Sequence, residues 1–277
     1  MHRFFLRRRT CSCLYDYKHK IFTIKAYCRQ LLMALFVLLA ALSVSACQLE
    51  APKEEAVDKE KETAEMDQNH KVGETLSLPD PEEVGEITLE ETLSQRTSSR
   101  NFSGTPLSLQ EIGQLAWAAQ GIGKSQDGIT GATRTAPSAG GTHPLVVYVV
   151  AGEMEELDAG IYRYHTGGHE LERVVGDDKR GALAAASLNQ DFISEAPVTL
   201  VVAARYEATT RAYGDRGERY VKMEAGHAGQ NLCLQAEALG MGCVVVGAFD
   251  DQEIKNILRT DTSPLSVIPI GFLENES

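Results

Sequence analysis

The strongest constraint on this chain is one long helical stretch, Gly217–Leu239, closed by Gly240 and carrying Ala225-Gly226-His227-Ala228-Gly229 near its middle. At 1.5 Å per residue it spans about 35 Å, the width of a small domain. A glycine inside a helix costs about 1 kcal/mol against alanine, so two of them within four residues need compensation. Close approach of another backbone or of a flat ligand provides it, because no side chain stands in the way. A central helix with a bared middle is therefore expected, as at the seam of a dimer.

The segments around it set the fold class. Ser108 opens a helix with Glu111 three residues on, the capping-box spacing, and Leu109, Ile112, Leu115 and Ala116 fall on one face before Gly121. Arg180–Leu188 reads as a second helix, and Asp250 caps a third that runs through Leu258. LVVYVVA (145–151), IYRY (161–164), VTLVVAA (198–204), CVVVGAF (243–249) and LSVIPIGF (265–272) read as strands. Strands and helices are mixed without regular βαβ alternation, which predicts an α+β domain around one sheet over residues 86–277.

The remainder of the chain is of a different kind. LLMALFVLLAALSVSA (31–46) follows a basic stretch and ends in small residues at Cys47, the pattern of a secretory segment and its cleavage site. Val44-Ser45-Ala46-Cys47 resembles a bacterial lipobox, so residues 1–46 are expected to be a lipoprotein signal peptide, over-extended at its N-terminus, with Cys47 as the lipidated residue. Residues 47–85 are rich in Glu, Lys and Asp with few large apolar side chains, and are expected to form a disordered acidic tether. The protein is then exported and lipid-anchored to the cell envelope, in the periplasm or outer membrane or on the outer face of the plasma membrane. Gln48 after the lipidated Cys would favour outer-membrane sorting in a cell that has one.

Charge narrows the partners. Of 27 Lys/Arg and 39 Asp/Glu in the chain, residues 1–46 hold eight and one, leaving 19 and 38 for the rest. So acidic a body repels nucleic-acid phosphates, and nucleic-acid binding is dropped. Processing would leave three cysteines, Cys47, Cys233 and Cys243. The last two sit in apolar helical and strand-like runs and read as buried thiols. No Cys/His cluster has zinc spacing, and no metal is expected.

Neither a GxGxxG after a strand nor a P-loop is present. Instead Arg96-Thr97-Ser98-Ser99-Arg100 places two guanidinium groups four residues apart with hydroxyls between, a natural clamp for a phosphate. Arg134-Thr135-Ala136-Pro137-Ser138-Ala139-Gly140-Gly141-Thr142-His143-Pro144 is a loop whose glycines let backbone come close to a ligand.

Five landmarks in order, RTSSRNFSGTPLSLQEIGQLAWAAQGI (96–122), RTAPSAGGTHPLVVYVVAG (134–152), GIYRY (160–164), residues 213–251 and VIPIGF (267–272), resemble the nitroreductase superfamily and its SagB-type dehydrogenase branch. The resemblance implies a central mixed or antiparallel sheet flanked by helices, and a homodimer with FMN at each of two subunit interfaces. It implies Arg96, Thr97 and Ser98 on the phosphate and ribityl side and Arg100 near the pyrimidine edge of the ring. It also implies Pro137, Ser138, Ala139, Gly140 and Gly141, together with Val246, Gly247 and Ala248, against the isoalloxazine. A cation beside N1/O2 stabilises reduced flavin, which gives Arg100 a physical role.

The chain departs from the family in two places. Gly271-Phe272-Leu273-Glu274 lacks the basic residues with which many members grip the phosphate, so Arg134, Arg216 or Arg219 are candidates to supply that charge. Azoline-forming members of the branch are thought to use a Lys–Tyr pair, whereas Tyr213 follows Ala212. Tyr213 and His143 flank the glycine-rich landmarks and are the candidate catalytic residues. Glu224, His227, Gln230 and Asn231 are expected to form a buried polar network along the long helix. The expected activity is FMN-dependent hydride transfer to or from a small-molecule or peptide substrate. Azoline dehydrogenation on a modified peptide and a non-catalytic lipoprotein scaffold are the alternatives.

Overall fold

A computed structural model describes residues 71–123, 133–152, 154 and 156–274. The apolar run, Cys47 and the tether up to residue 70 lie outside the described residues. Among those described, no helix is long and apolar enough to cross a membrane.

Seven strands form one sheet: β1 (Thr75–Ser77), β2 (Leu145–Ala151), β3 (Gly160–His165), β4 (Glu170–Val175), β5 (Val198–Ala204), β6 (Gly242–Cys243) and β7 (Ser263–Gly271). Their spatial order is β1-β4-β3-β2-β5-β7-β6, and every neighbouring pair is antiparallel. Among the described residues seven α-helices accompany them: α1 (Leu89–Gln95), α2 (Leu109–Gln120), α3 (Arg180–Ala186), α4 (Phe192–Glu195), α5 (Glu207–Tyr213), α6 (Arg216–Ala238) and α7 (Asp251–Leu258). The class is α+β, as the mixed order of elements predicts.

The apolar runs of β2 and β5 follow from burial on both faces. Val147, Val149 and Ala151 enter one apolar cluster with Leu107, Ile112 and Leu115 around α2 and with Leu232 and Ala236 of α6. Their neighbours Val146, Tyr148 and Val150 enter the other, with Leu183 of α3, Ile193 of α4 and Ile254 and Leu258 of α7. The alternation is the period-two geometry of a strand, and helices on both sides leave no polar face. Each fully buried Leu or Ile contributes about 1.5–3 kcal/mol, so the two β-α layers hold the sheet from both sides.

Helix α2 begins as its sequence dictates: the Ser108 side chain accepts from the Glu111 N–H while the Glu111 carboxylate accepts from the Ser108 N–H. The same reciprocal pair, Thr88 and Glu91, starts α1. The Asp250 carboxylate accepts from the Gln252 and Glu253 N–H groups at the start of α7.

Three expectations change. The tether does not reach residue 85: β1 pairs with β4, Leu78 is buried in the core, and the Glu82 N–H donates to Gln114 Oε1. A lone Leu-Ser-Leu segment is short of apolar surface by itself, but a sheet edge supplies the missing hydrogen-bond partners. The stretch 243–249 is not one strand. β6 stops at Cys243, Val246 makes an isolated bridge to Val267, and Val245, Gly247 and Ala248 are exposed. The polar residues of α6 also do not share one network: Glu224 is buried and Asn231 donates to the Ala118 and Thr135 carbonyls, whereas His227 and Gln230 are exposed. Positions i and i+7 coincide on a helix, while i+6 lies about 120° away, as 3.6 residues per turn requires.

Candidate active site

Helix α6 has two sides. Val221, Glu224, Ala225, Ala228, Leu232, Cys233 and Ala236 are buried. Met223, Gly226, His227 and Gln230, at i, i+3, i+4 and i+7, form an exposed stripe, on which a Cβ added at Gly226 would meet no atom of the chain. Two groups of the sequence-selected residues flank this helix at different heights.

The arginine segment lies at the C-terminal half. Arg96 caps α1 and its charge favours the thiolate of both Cys233 on α6 and Cys243 on β6. The two thiols are hydrogen-bonded to each other, which holds the pKa of Cys233 below the ordinary thiol value and pushes that of Cys243 above it. Ser98 bridges to Cys243 in parallel, and the Ser99 N–H donates to the Cys243 carbonyl at 2.9 Å. Arg96–Arg100 is thus laid against the strand that leads into Val246-Gly247-Ala248. Arg100 stacks on Phe192, its guanidinium carbon 5.6 Å from the ring centroid. Among the described residues neither Arg96 nor Arg100 pairs with an acid. Gly247 is exposed, and a Cβ there would meet nothing within 4 Å. Two cations without an acidic partner among the described residues, on a segment bridged to this strand, fit an anionic ligand.

The glycine loop lies at the N-terminal half. Gly140 (φ 60°) and Gly141 (φ 66°) are both left-handed, a conformation that L side chains resist. The Ser138 hydroxyl accepts from the His143 N–H at 2.9 Å, and the Thr142 hydroxyl shares a 2.8 Å hydrogen bond with that of Thr209 on α5. Tyr213, at the end of α5, holds its ring edge-on to Tyr220 with centroids 5.2 Å apart. Its hydroxyl lies against Gly140, where a Cβ would collide with it. Glu224, only 2% exposed, is bonded by the Ser138 side chain; burial pushes its carboxyl up to about 7, opposed by that hydrogen bond and by Arg134. Burial and the Arg134 charge hold His143 below its ordinary value, which keeps its imidazole neutral at pH 7.

The structure therefore joins the Arg96–Arg100 segment to Cys243, three residues before Val246, and separately joins the turn 138–143 at Gly140 to Tyr213. Glu224 and Cys233 mark the two groups on α6 nine residues apart, about 13 Å along the axis. Of the cations considered for the phosphate, Arg134 turns inward and donates to the Gln120 carbonyl, and Arg216 and Arg219 are exposed on the first turns of α6. Sequence reading placed Glu224 in the wrong company. Its signal was a lone acid on the apolar face of a helix.

A groove of about 720 Å³ runs between residues 82–89, α2 and the end of α6. It is lined by Val84, Ile87, Leu89, Trp117, Leu234 and Leu239 and by the acids Glu82, Glu83 and Glu86, and, of the residues singled out above, only by Thr135 and Asn231. Its lining carries no nucleophile or cation, so the chemistry is assigned to the arginine and glycine segments. Among the described residues no group of three or more His, Cys, Asp or Glu could hold a metal.

Comparison with known proteins gives the same direction. The nitroreductase family model matches residues 93–272. A protein of Methanocaldococcus jannaschii, named as a candidate nitroreductase, is 42% identical over 200 residues, covering 72% of this chain and 98% of its own. The crystal structure of a candidate nitroreductase from Ralstonia eutropha superposes with a TM-score of 0.63 at 30% identity, covering 73% of this chain and 90% of that one. The Escherichia coli microcin synthetase complex, with its truncated precursor bound, shares the fold at a TM-score of 0.55 and 22% identity, covering 80% of this chain and 85% of that one.

Proposed function

The chain belongs to the nitroreductase family, and from that premise we propose that it is an FMN-dependent oxidoreductase of the SagB-type branch, a homodimer held to the outer side of a membrane by a lipid on Cys47. One observation carries the cofactor assignment. Among the described residues Arg96 and Arg100 face no acid, and their segment is bridged to Cys243 on the strand that leads toward the open Gly247, in a chain whose net charge is −12. Cations left unpaired in so acidic a protein are held for an anionic ligand.

Arg96 is assigned to the FMN phosphate, with Thr97 and Ser98 donating hydroxyl hydrogen bonds, and Arg100 to the pyrimidine edge of the ring, where its charge favours the reduced state. FMN bound there would supply a two-electron centre that takes and returns hydride. The separation of the glycine loop from the arginine segment along α6 supports a second copy. The exposed stripe through Gly226 is the surface on which two helices can cross, bringing one protomer's loop toward the other's arginines. Tyr213 is then placed to give or take a proton from substrate beside Gly140, and His143, kept neutral, to accept one. The lipid anchor rests on the sequence around Cys47 alone. An exported enzyme has no nicotinamide supply, so quinol or a partner redox protein is the proposed donor.

The purified full-length chain is expected to be yellow and to carry one FMN per protomer in a dimer. A colourless protein that refuses added FMN would sink the assignment in favour of a non-catalytic scaffold, and a monomer fully loaded with FMN would remove the shared site. A second reading is oxidation of an azoline in a modified peptide. The likeness of fold to a peptide-modifying synthetase and the position of Tyr213 support it, and Ala212, in place of the expected lysine, weighs against it. Reoxidation of the reduced protein by azoline precursors against simple acceptors separates the two.

A further inference from the structure

Residues 78–89 form a strap fixed at both ends. At the first end the Leu78 N–H donates to the His169 carbonyl, and the Gln110 side chain donates to the Asp80 carbonyl at 3.2 Å. Gln114 of α2, itself buried, then grips both backbone groups of Glu82. Its Oε1 accepts the Glu82 N–H at 2.8 Å and its Nε2 donates to the Glu82 carbonyl at 2.9 Å. At the other end Thr88 and Glu91 close the capping box of α1. Between these anchors Val84, Gly85, Glu86 and Ile87 make no hydrogen bond among the described residues, so their backbone groups are left for water or a partner. A Cβ at Gly85 would meet only the Ile87 carbonyl oxygen, 4.0 Å away. Val84 is 87% exposed and Leu89 58%, and with Ile87, Trp117, Leu234 and Leu239 they line the groove of about 720 Å³. That volume is typical of a ligand site. Exposed apolar side chains gathered around a cavity, rather than scattered singly, mark a binding surface.

Charge selects the occupant. Glu82 and Glu83 stand at one end of the bridge and Glu86 near the other, and among the described residues no Lys, Arg or His lines the groove. Glu82 and Glu86 pair with no base among the described residues. Acids of one sign around a concave apolar wall focus a negative potential. A second copy would bring the same acids and the same excess of negative charge, which disfavours it there. A small organic cation would meet the acids but leave the backbone of 84–87 unmatched. We propose that this groove is a docking site for an extended peptide that carries Lys or Arg between apolar side chains. Its main chain pairs with residues 84–87, alternate side chains enter the apolar wall, and its cations face Glu82 and Glu86. Because both ends of the strap are already fixed, little ordering is needed on binding. The groove gives the peptide reading of the activity a place to hold its substrate, but it does not rest on that reading or on the FMN assignment.

The test uses the full-length chain and a short peptide of alternating leucine and lysine. Trp117 lines the groove and is the only tryptophan of the chain, so its fluorescence reports binding. The same peptide with glutamate in place of lysine should not bind. Glu82→Gln combined with Glu86→Gln keeps the backbone grip of Gln114 and should weaken the lysine peptide roughly five- to tenfold. Raising salt from about 20 to about 300 mM should weaken the parent several-fold and this variant less. Val84→Ser combined with Leu89→Ser removes apolar wall at exposed positions and should cost about tenfold or more. Both double variants should unfold at the parent's temperature and hold the parent's amount of FMN. Methylating alternate backbone nitrogens of the peptide should cost about tenfold. Equal affinity for the lysine and glutamate peptides, or for the parent and both double variants, would overturn the proposal. If the methylated peptide binds undiminished, or hexylammonium ion matches the peptide, a small cation takes the groove and the proposal fails. A parent that binds no peptide and sediments as a dimer, while Glu82→Gln with Glu86→Gln shifts that equilibrium, would give the groove to a second copy instead. Peptide bound by a protein without FMN would uphold the docking site and overturn the cofactor assignment alone.

Discussion

At its Glu224 end, α6 meets a loop already fixed by hydrogen bonds within the chain, whereas at its Cys233 end it meets Arg96, whose guanidinium faces no acid among the described residues. The first region is closed: Ser138 accepts the His143 backbone N–H, Thr142 and Thr209 share a hydrogen bond, and the left-handed glycines admit the Tyr213 hydroxyl. The second is open: Arg96 and Arg100 are anchored through backbone contacts of Ser98 and Ser99 with Cys243, but their charges have no acidic partner among the described residues. The contrast separates preorganisation from recognition. A rigid backbone surface suits a flat ring whose shape is constant, and free cations suit a phosphate whose charge must be met. Each region alone is half of a mononucleotide site.

Substitutions can break each half separately. The largest effect is expected at Gly140→Val, which would force a left-handed β-branched residue into the Tyr213 hydroxyl, costing about 3 kcal/mol in unfolding free energy and abolishing FMN retention. Adding Tyr213→Phe should recover part of that loss by removing the colliding oxygen. If Gly140→Val unfolds like the parent, the loop is not the closed region described. Arg96→Ala comes next: it should weaken FMN binding 10–100-fold, about 1.5–3 kcal/mol for a charge-assisted hydrogen bond, with stability within about 0.5 kcal/mol of the parent. Equal FMN affinity in the two would remove the phosphate assignment. Arg100→Ala should affect affinity less and lower the two-electron flavin potential by about 20–30 mV, the equivalent of about 1 kcal/mol, read by dye equilibration. Smallest is Gly247→Ala. No atom of the chain lies where its methyl would go, so stability should be unchanged within about 0.5 kcal/mol, while FMN binding falls a few-fold. A stable variant with undiminished binding would place the ring elsewhere.

Much of the fold was legible because its signals are local. The Ser108/Glu111 box starts α2, and Asp250 starts α7. The apolar runs of β2 and β5 match their strands residue for residue. The Thr88/Glu91 box of α1 was equally local but went unread. So did the alternating ELERVV of β4, whose burial follows its period of two. In contrast, β1 takes its hydrogen bonds from β4 nearly a hundred residues on, and nothing in Thr-Leu-Ser announces that partner. The run 243–249 reads as a strand by composition, but its continuous ladder with β7 ends at Cys243, and beyond it Val246 makes only an isolated bridge to Val267.

For the site, the sequence by itself determined the ingredients: the paired arginines, the consecutive glycines, and the small-residue middle of the long helix. These depend on residue type and spacing, which charge and backbone freedom fix before any folding. Only the tertiary structure decided their company. It set Arg96 against Cys233 and Cys243, carried Ser138 to Glu224, and put His227 and Gln230 outside while Asn231 turned in. The reason is that hydrogen-bond and charge partners distant in sequence are chosen by packing, and packing is a property of the whole sheet with the helices on its two faces.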